Sequence, residues 1–116
     1  MLRTIQDLNI PHLVGGVFPT NAPAECMEFD EVKMIGLGEG ETTVEAVAEA
    51  VREGGSLHNI PGTWYRDDDN QIHKNLQPKL IDINDIIPDF SLFGTKRFLR
   101  PMGGRMFRMV PVESYR

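Results

Sequence analysis

The chain has 116 residues and a formal net charge of −5, with 41% hydrophobic and 25% charged residues, proportions that suit one globular domain or part of one. No run of about 18 apolar residues is present, which excludes a membrane-spanning helix, and the first ten residues lack a signal peptide's apolar segment. A single cysteine, Cys26, and three widely spaced histidines exclude an internal disulfide and a local metal-ligand motif. We therefore expect a soluble, cytoplasmic chain with no metal site and no catalytic motif of its own.

Charge is distributed unevenly along the sequence. Residues 94–116 contain six basic residues and one acidic residue, whereas residues 1–93 contain six basic and sixteen acidic residues. A basic tail of this kind can bind nucleic acid or a membrane surface. Here the basic residues alternate with apolar ones, namely Phe98, Leu99, Met102, Met106, Phe107, Met109 and Val110. This mixture favours a segment that packs on another domain over a nucleic-acid or membrane anchor.

The first predicted unit is a strand followed by a glycine turn and a helix. The short apolar run 12–14 stops at Gly15 and Gly16, which is typical of a buried strand that enters a tight turn. Thr20 or Asn21 can cap the helix that follows, and its body is expected over Ala22–Phe29.

A second unit repeats this order more clearly. An apolar strand within Glu31–Leu37 leads into a glycine-rich loop at 36–41. The next segment predicts a helix over Thr42–Glu53 with a capping box formed by Thr42 and Glu45 and a glycine end at Gly54. Its apolar stripe, expected to pack on the sheet, consists of Val44, Val47, Ala48 and Val51. Two strand–loop–helix units in succession predict the α/β class, with a partial Rossmann-like parallel sheet covered by helices.

The remaining sequence changes character. Two short β-prone runs within 62–66 and 71–74 flank the polar turn Asp67–Asn70, which predicts a β-hairpin with a solvated tip. The three aspartates of that turn lack the alternating spacing and the closing glutamate of an EF-hand, so we do not interpret them as a calcium loop. Residues 80–93 are expected to form an irregular, extended connector.

The glycine loops are the residues best placed to bind a ligand, because ligands of α/β folds lie beyond the carboxyl ends of the strands. The loop at 36–41 also precedes a helix, whose free amides favour an anion. The same glycines can equally serve only as tight turns. Glu39 and Glu41 can act as an acid/base pair or complement the positive helix end. Cys26 and His12 are expected to be structural.

Four segments, met in the same order, resemble the cobalamin-binding domains of radical S-adenosylmethionine enzymes. Residues 12–25 are similar to that family's "VGG-P-x-x-T-x-x-P-E" segment, and residues 35–42 to its "G-x-GE-x-E-x-T" segment. Residues 60–66 resemble its "I-P-G-x-x-Y-R" hairpin, and residues 82–90 its "D-L-D-x-L-P-x-P-D-Y" linker. The combination is more specific than any of its parts.

The resemblance implies a fragment of a larger enzyme, divided into three segments. Residues 1–55 would be the C-terminal half of a cobalamin-binding-like α/β domain, residues 56–93 a β-hairpin and connector, and residues 94–116 a basic, apolar linker toward a radical S-adenosylmethionine domain. The family's earlier "D-x-H-x-x-G" motif has no counterpart before His12. The 4Fe-4S iron–sulfur cluster and S-adenosylmethionine would belong to the domain beyond the linker.

The parent implied by this resemblance is a cobalamin-dependent methyltransferase or cyclase, in which this chain binds cofactor without a catalytic residue or metal ligand of its own. The implied cobalamin contacts are Gly15, Gly16, Thr20, Gly36, Gly38, Glu39 and Gly40. A stand-alone α/β ligand- or partner-binding module with a basic tail stays open as the alternative, as does a nucleotide-binding α/β domain unrelated to cobalamin. We also expect the basic, apolar segment Phe98–Val110 to fold back over the sheet or to drive self-association, and we do not expect it to bind nucleic acid or a membrane.

Overall fold

The computed structural model of the chain describes Leu8, residues 10–85 (without the side chain of Ile83) and residues 87–110. The chain forms two compact units, Met1–Leu80 and Ile81–Arg116. The first unit contains helices α1 (Val17–Asn21), α2 (Pro23–Met27) and α3 (Glu41–Glu53) and strands β1 (Met34–Gly36), β2 (Thr63–Arg66) and β3 (Ile72–Lys74). This mixture of helices with a small sheet confirms the α/β class.

The sheet of the first unit is antiparallel, with strand order β1-β2-β3. Parallel pairing in the described ranges is confined to one bridge between Val14 and Ile35. The expected Rossmann-like parallel sheet is therefore not confirmed. The physical reason lies after α3, where the chain returns through residues 54–62 and enters β2 beside the carboxyl end of β1. There the N–H of Leu37 donates to the carbonyl oxygen of Gly62 at 2.8 Å.

The predicted hairpin is present as β2 and β3, in which Tyr65 pairs with His73. The turn between them closes with a 3.0 Å hydrogen bond from the N–H of Asp67 to the carbonyl oxygen of Gln71. Asn70 takes a positive φ of 64°, a conformation that asparagine tolerates better than most residues. The turn chemistry inferred from the sequence is thus confirmed.

The core of this unit is small and lies between α2 and β1. Its buried residues are Cys26, Met27, Val32, Ile35 and Leu37, with Val14 and Trp64 packed against them. Burial raises the pKa of the Cys26 thiol, which keeps the thiol neutral and suits a small core residue rather than a nucleophile.

The helix expected over Ala22–Phe29 is present but shorter, as α2 (Pro23–Met27), and a separate five-residue helix, α1, precedes it. Thr20 and Asn21 lie inside α1 instead of capping its successor, and both side chains bond back to carbonyl oxygens four residues earlier. Pro23 opens α2, where its missing N–H leaves no hydrogen bond unmade.

Helix α3 differs from expectation at its start and in its buried face. It begins at Glu41 after Gly40, with no side-chain cap hydrogen bond, so the Thr42–Glu45 capping box is absent. Its buried residue is Thr43, at 2% exposure, whereas Val44 and Val51 are 53% and 45% exposed. The hydroxyl of Thr43 donates to the carbonyl oxygen of Pro61 at 3.2 Å, and this contact sets the face that the helix buries. Gly54 ends the helix in the left-handed conformation, as predicted.

The second unit begins with the irregular connector that the sequence indicates. Three short 3₁₀ helices at Ile83–Asp85, Phe90–Leu92 and Thr95–Phe98 precede strands β4 (Leu99–Met102) and β5 (Arg105–Arg108). These two strands form an antiparallel hairpin that the sequence analysis did not predict. Residues 111–116 of the expected linker lie outside the described residues, and the division of the chain at 55 and 93 stays a prediction. No helix in the described ranges combines the length and apolarity that crossing a bilayer requires.

Candidate functional site

The two glycine loops named in the sequence analysis meet at one edge of the first unit. The N–H of Val14 donates to the carbonyl oxygen of Met34 at 3.0 Å, and the N–H of Gly36 donates to the carbonyl oxygen of Val14 at 2.9 Å. Because the two segments run parallel here, the loops that follow them emerge at the same edge. This edge corresponds to the carboxyl ends of parallel strands, where α/β folds bind ligands.

Thr20 joins the two loops directly. Its hydroxyl donates to the carbonyl oxygen of Gly16 at 2.8 Å and accepts a hydrogen bond from the N–H of Gly38 at 3.1 Å. Gly38 lies 18 residues further along the chain, so this contact links segments that are distant in sequence. Three of the predicted site residues are therefore brought together by one side chain.

The second loop presents few free backbone donors. Three consecutive N–H groups of this loop already have partners. The N–H of Gly36 donates to the carbonyl oxygen of Val14, and the N–H of Leu37 donates to the carbonyl oxygen of Gly62. The N–H of Gly38 donates to the hydroxyl oxygen of Thr20. An anion-binding loop needs N–H groups that point at the ligand without other partners. These three amides are therefore not available to an anion, whereas the expectation of anion binding at the N-terminus of α3, which has no side-chain cap, stays a prediction.

Open space lies over three of the glycines. A Cβ added at Gly15, Gly16 or Gly38 would meet no heavy atom within 4 Å, and Gly16 and Gly38 have positive φ angles of 109° and 70°. A ligand can therefore approach the backbone closely at these positions. Gly36 faces inward instead, since a Cβ there would lie 3.6 Å from the side chain of Leu13. Gly40 is exposed, and a Cβ there would lie 3.9 Å from the side chain of Val44, which is itself 53% exposed.

The two carboxylates of the second loop occupy different positions. Glu41 is the first residue of α3, where a negative charge favourably complements the positive end of the helix. Glu39 is half-buried and precedes the helix by two residues. The geometry of Glu41 favours the electrostatic interpretation over an acid/base pair.

Gly62 and Thr43 lie behind the loops and support them. The sequence pattern did not predict this role. Gly62 has a φ of 78°, and a Cβ there would lie 2.6 Å from Oγ1 of Thr43 and 3.1 Å from Pro78. The carbonyl oxygen of Gly62 in turn accepts the hydrogen bond from Leu37. A threonine in the first helical turn and a glycine after proline were the available signals.

A separate open cleft of about 770 Å³ lies at the opposite end of β1. Its wall includes His12, Lys33, His58, Tyr65 and Arg66 and contains none of the seven residues expected to contact cobalamin. The ring of Tyr65 is nearly parallel to the rings of His58 and His73, with centroid separations of 4.4 Å and 4.7 Å. His12 donates from Nε2 to the carbonyl oxygen of Glu31 at 2.9 Å, which confirms a structural role.

Asp67 holds the hairpin turn through its carboxylate. Oδ2 accepts a hydrogen bond from Nε2 of His73 at 2.6 Å, and Oδ1 accepts one from the N–H of Gln71 at 2.8 Å. These two bonds, the one from His73 being the stronger influence, hold the pKa of Asp67 below its usual value of 3.8. A lowered pKa stabilises the folded state above the unfolded-state pKa, and this stabilisation is lost as the pH falls through the lower folded-state pKa.

We therefore expect Asp67→Asn to make the free energy of unfolding less dependent on pH in the acidic range. The free energy of unfolding, measured by urea titration between pH 3 and pH 6, should fall less steeply with decreasing pH than in the parent chain. Asp68→Asn, at an exposed position of the same turn, is the control and should keep the parent slope. An unchanged slope in Asp67→Asn would show that this carboxylate does not contribute to acid unfolding.

Comparison with known proteins finds a likeness among solved structures. No protein-family profile matches the chain, and no curated protein sequence matches it. Among solved structures, the chain is similar to the cobalamin-dependent S-adenosylmethionine radical enzyme OxsB with aqua-cobalamin and S-adenosylmethionine bound, with a TM-score of 0.54 and 21% sequence identity. Structures of OxsB with aqua-cobalamin bound and of its apo, selenomethionine-labelled form give TM-scores of 0.54 and 0.53 at the same identity.

The likeness covers 67% of this chain and 11% of the OxsB chain. At 21% identity it shows a shared fold and does not by itself transfer an activity. About two thirds of this chain is thus similar in fold to a small part of the much longer OxsB chain.

Proposed function

We propose that this chain forms one side of a cobalamin-binding site within a larger cobalamin-dependent radical S-adenosylmethionine enzyme. The observation that carries the proposal is the meeting of the Gly15–Gly16 and Gly36–Gly40 loops at one edge, joined by Thr20. The fold shared with part of OxsB supports it, as does the order of the four sequence segments. In this proposal the chain contributes cofactor binding and no catalytic residue.

The residues at this edge fit a large cofactor that rests against the backbone. Gly15, Gly16 and Gly38 leave open space where side chains would otherwise project. Because the N–H of Gly38 is already bonded to Thr20, contact there is made mainly through van der Waals packing and not through anion binding. Gly36, Glu39 and Gly40 would support this surface from behind or at its border. Cobalamin supplies cobalt-based organometallic chemistry when bound, while this chain's own residues bind the cofactor and restrict its position.

The remaining components belong to the larger enzyme. Cys26 is buried, and an iron–sulfur cluster needs several accessible thiolates, so we assign the cluster and S-adenosylmethionine to a separate radical domain. The segment 94–116 would lead toward that domain. We place the reaction in the methyltransferase or cyclase class, and the enzyme in the cytoplasm, whose reducing conditions keep thiols free.

The hairpin β4–β5 favours the alternative of a partner-binding module. All eight of its residues are exposed, and three of them are arginines, Arg100, Arg105 and Arg108. An isolated two-stranded hairpin is marginally stable in water, so a surface that covers it would stabilise it. Under this alternative the glycine loops serve as turns and the hairpin binds a protein partner or a second copy of the chain.

Titration with hydroxocobalamin, followed by its visible absorption, separates the two functions. The natural polypeptide that contains these residues should bind it, and Gly15→Leu should weaken binding at least tenfold by filling the open space without requiring a positive φ. Gly94→Leu is the matched control, because it also adds a side chain in open space but lies outside the glycine loops. No binding by the parent protein, or equal binding by Gly15→Leu, would contradict the proposal.

A further inference from the structure

Thr20 lies in α1 with its hydroxyl engaged on both sides. The hydroxyl has one proton, which it donates to the carbonyl oxygen of Gly16 at 2.8 Å, while its oxygen accepts from the N–H of Gly38 at 3.1 Å. Because a threonine hydroxyl offers a single donor, it has no second proton for a bound molecule. The proton of this hydroxyl is therefore used within the chain, where it helps to join the two loops.

The hydrogen bond between Gly38 and Thr20 restricts a residue that has few other contacts. Gly38 is exposed, with a φ of 70° and no heavy atom near the place of a Cβ. Glycine has the largest conformational freedom to lose on ordering, and few side-chain contacts restrict it here. The hydrogen bond that the N–H of Gly38 donates to the hydroxyl oxygen of Thr20 restricts Gly38 before any ligand arrives.

We infer that Thr20 is a positioning residue whose hydroxyl holds the Gly16 and Gly38 loops in their ligand-binding arrangement. This inference rests on the proposed function for the identity of the ligand. The two hydrogen bonds of the Thr20 hydroxyl, which we call the Thr20 clamp, are present in the ligand-free chain. A surface ordered in advance binds more tightly because less conformational entropy is lost on binding. Loss of the Thr20 clamp should therefore weaken ligand binding.

Two substitutions at this position separate the hydroxyl from the shape of the side chain. Thr20→Val keeps the branched shape and removes both hydrogen bonds, whereas Thr20→Ser keeps the hydroxyl. Asn21→Ala is the matched control, since it removes a hydrogen bond to the carbonyl oxygen of Val17 within the same helix and leaves both loops joined.

The first measurement is amide hydrogen exchange at Gly38 in the ligand-free protein, and the second is the Kd for hydroxocobalamin. For Thr20→Val we expect exchange at Gly38 to accelerate by about tenfold and the Kd to rise by about tenfold. Thr20→Ser and Asn21→Ala should stay within about twofold of the parent in both measurements.

The outcomes distinguish the inference from the proposed function. Faster exchange in Thr20→Val with an unchanged Kd would overturn the positioning role while the proposed function stands. An equal rise in the Kd for hydroxocobalamin in Thr20→Ser and Thr20→Val would also overturn the positioning role, because the hydroxyl would then not be the group that holds the loops. Absence of hydroxocobalamin binding in the parent protein would overturn the proposed function and, with it, the inferred role.

Discussion

Gly62→Ala should lower the free energy of unfolding by about 2–4 kcal/mol. Gly62 has a φ of 78°, and the new Cβ would lie 2.6 Å from Oγ1 of Thr43. Thr43 cannot move aside freely, because it is 2% exposed and its hydroxyl is bonded to the carbonyl oxygen of Pro61. The substitution therefore combines left-handed backbone strain with overpacking at the start of α3.

Gly55→Ala is the control for this prediction. Gly55 follows the end of α3, is exposed, and would place a Cβ at an ordinary 3.6 Å from the carbonyl oxygen of Ala50. Here the added methyl group should leave stability unchanged or raise it slightly through the unfolded state. Urea unfolding of the two variants gives the comparison, and equal stability of Gly62→Ala and Gly55→Ala would refute the close packing around Thr43.

Ile35→Ala should be the most damaging truncation in the core, with a loss of about 2–5 kcal/mol. Ile35 is fully buried, bridges to Val14 on one side and pairs with Trp64 on the other. Removing its side chain leaves a cavity where α2, β1 and β2 converge. The variant should unfold at a lower urea concentration with an unchanged dependence on urea, as expected for a change in stability alone.

Ile72→Ala provides the matched comparison on the edge strand β3. Ile72 is 41% exposed, so the same chemical truncation should lose no more than about 1 kcal/mol. If the two variants lose similar stability, the core does not lie around β1 as described.

Local features of the fold were predictable from the sequence because neighbouring residues determine them. The turn Asp67–Asn70 specifies the hairpin β2–β3, and Gly54 specifies the end of α3. The β4–β5 hairpin was equally accessible, since Gly103 and Gly104 both take positive φ angles as a tight hairpin turn requires. The alternation of basic and apolar residues around these glycines instead led to the prediction of a segment that packs on another domain.

Features that depend on distant contacts were not predictable in this way. The direction of β2 follows from the return of residues 54–62 to the carboxyl end of β1, and periodicity carries no information about that path. The buried face of α3 is set by the bond from Thr43 to Pro61, which a hydrophobic stripe cannot reveal. For the candidate site, the family resemblance selected glycines that do meet in space, but it did not distinguish the open Gly38 from the inward-facing Gly36.

Glycine-rich loops beside a helix often attract phosphate groups. The pairing of three successive amides in the second loop, at Gly36, Leu37 and Gly38, removes the donors that a phosphate would need. A ligand that packs against the bare backbone keeps its contacts, whereas a nucleotide finds no backbone hydrogen bonds at those three positions. The internal pairing of these three amides therefore withholds them from a phosphate, and an anion at this edge would have to meet the N-terminus of α3, which has no side-chain cap, instead.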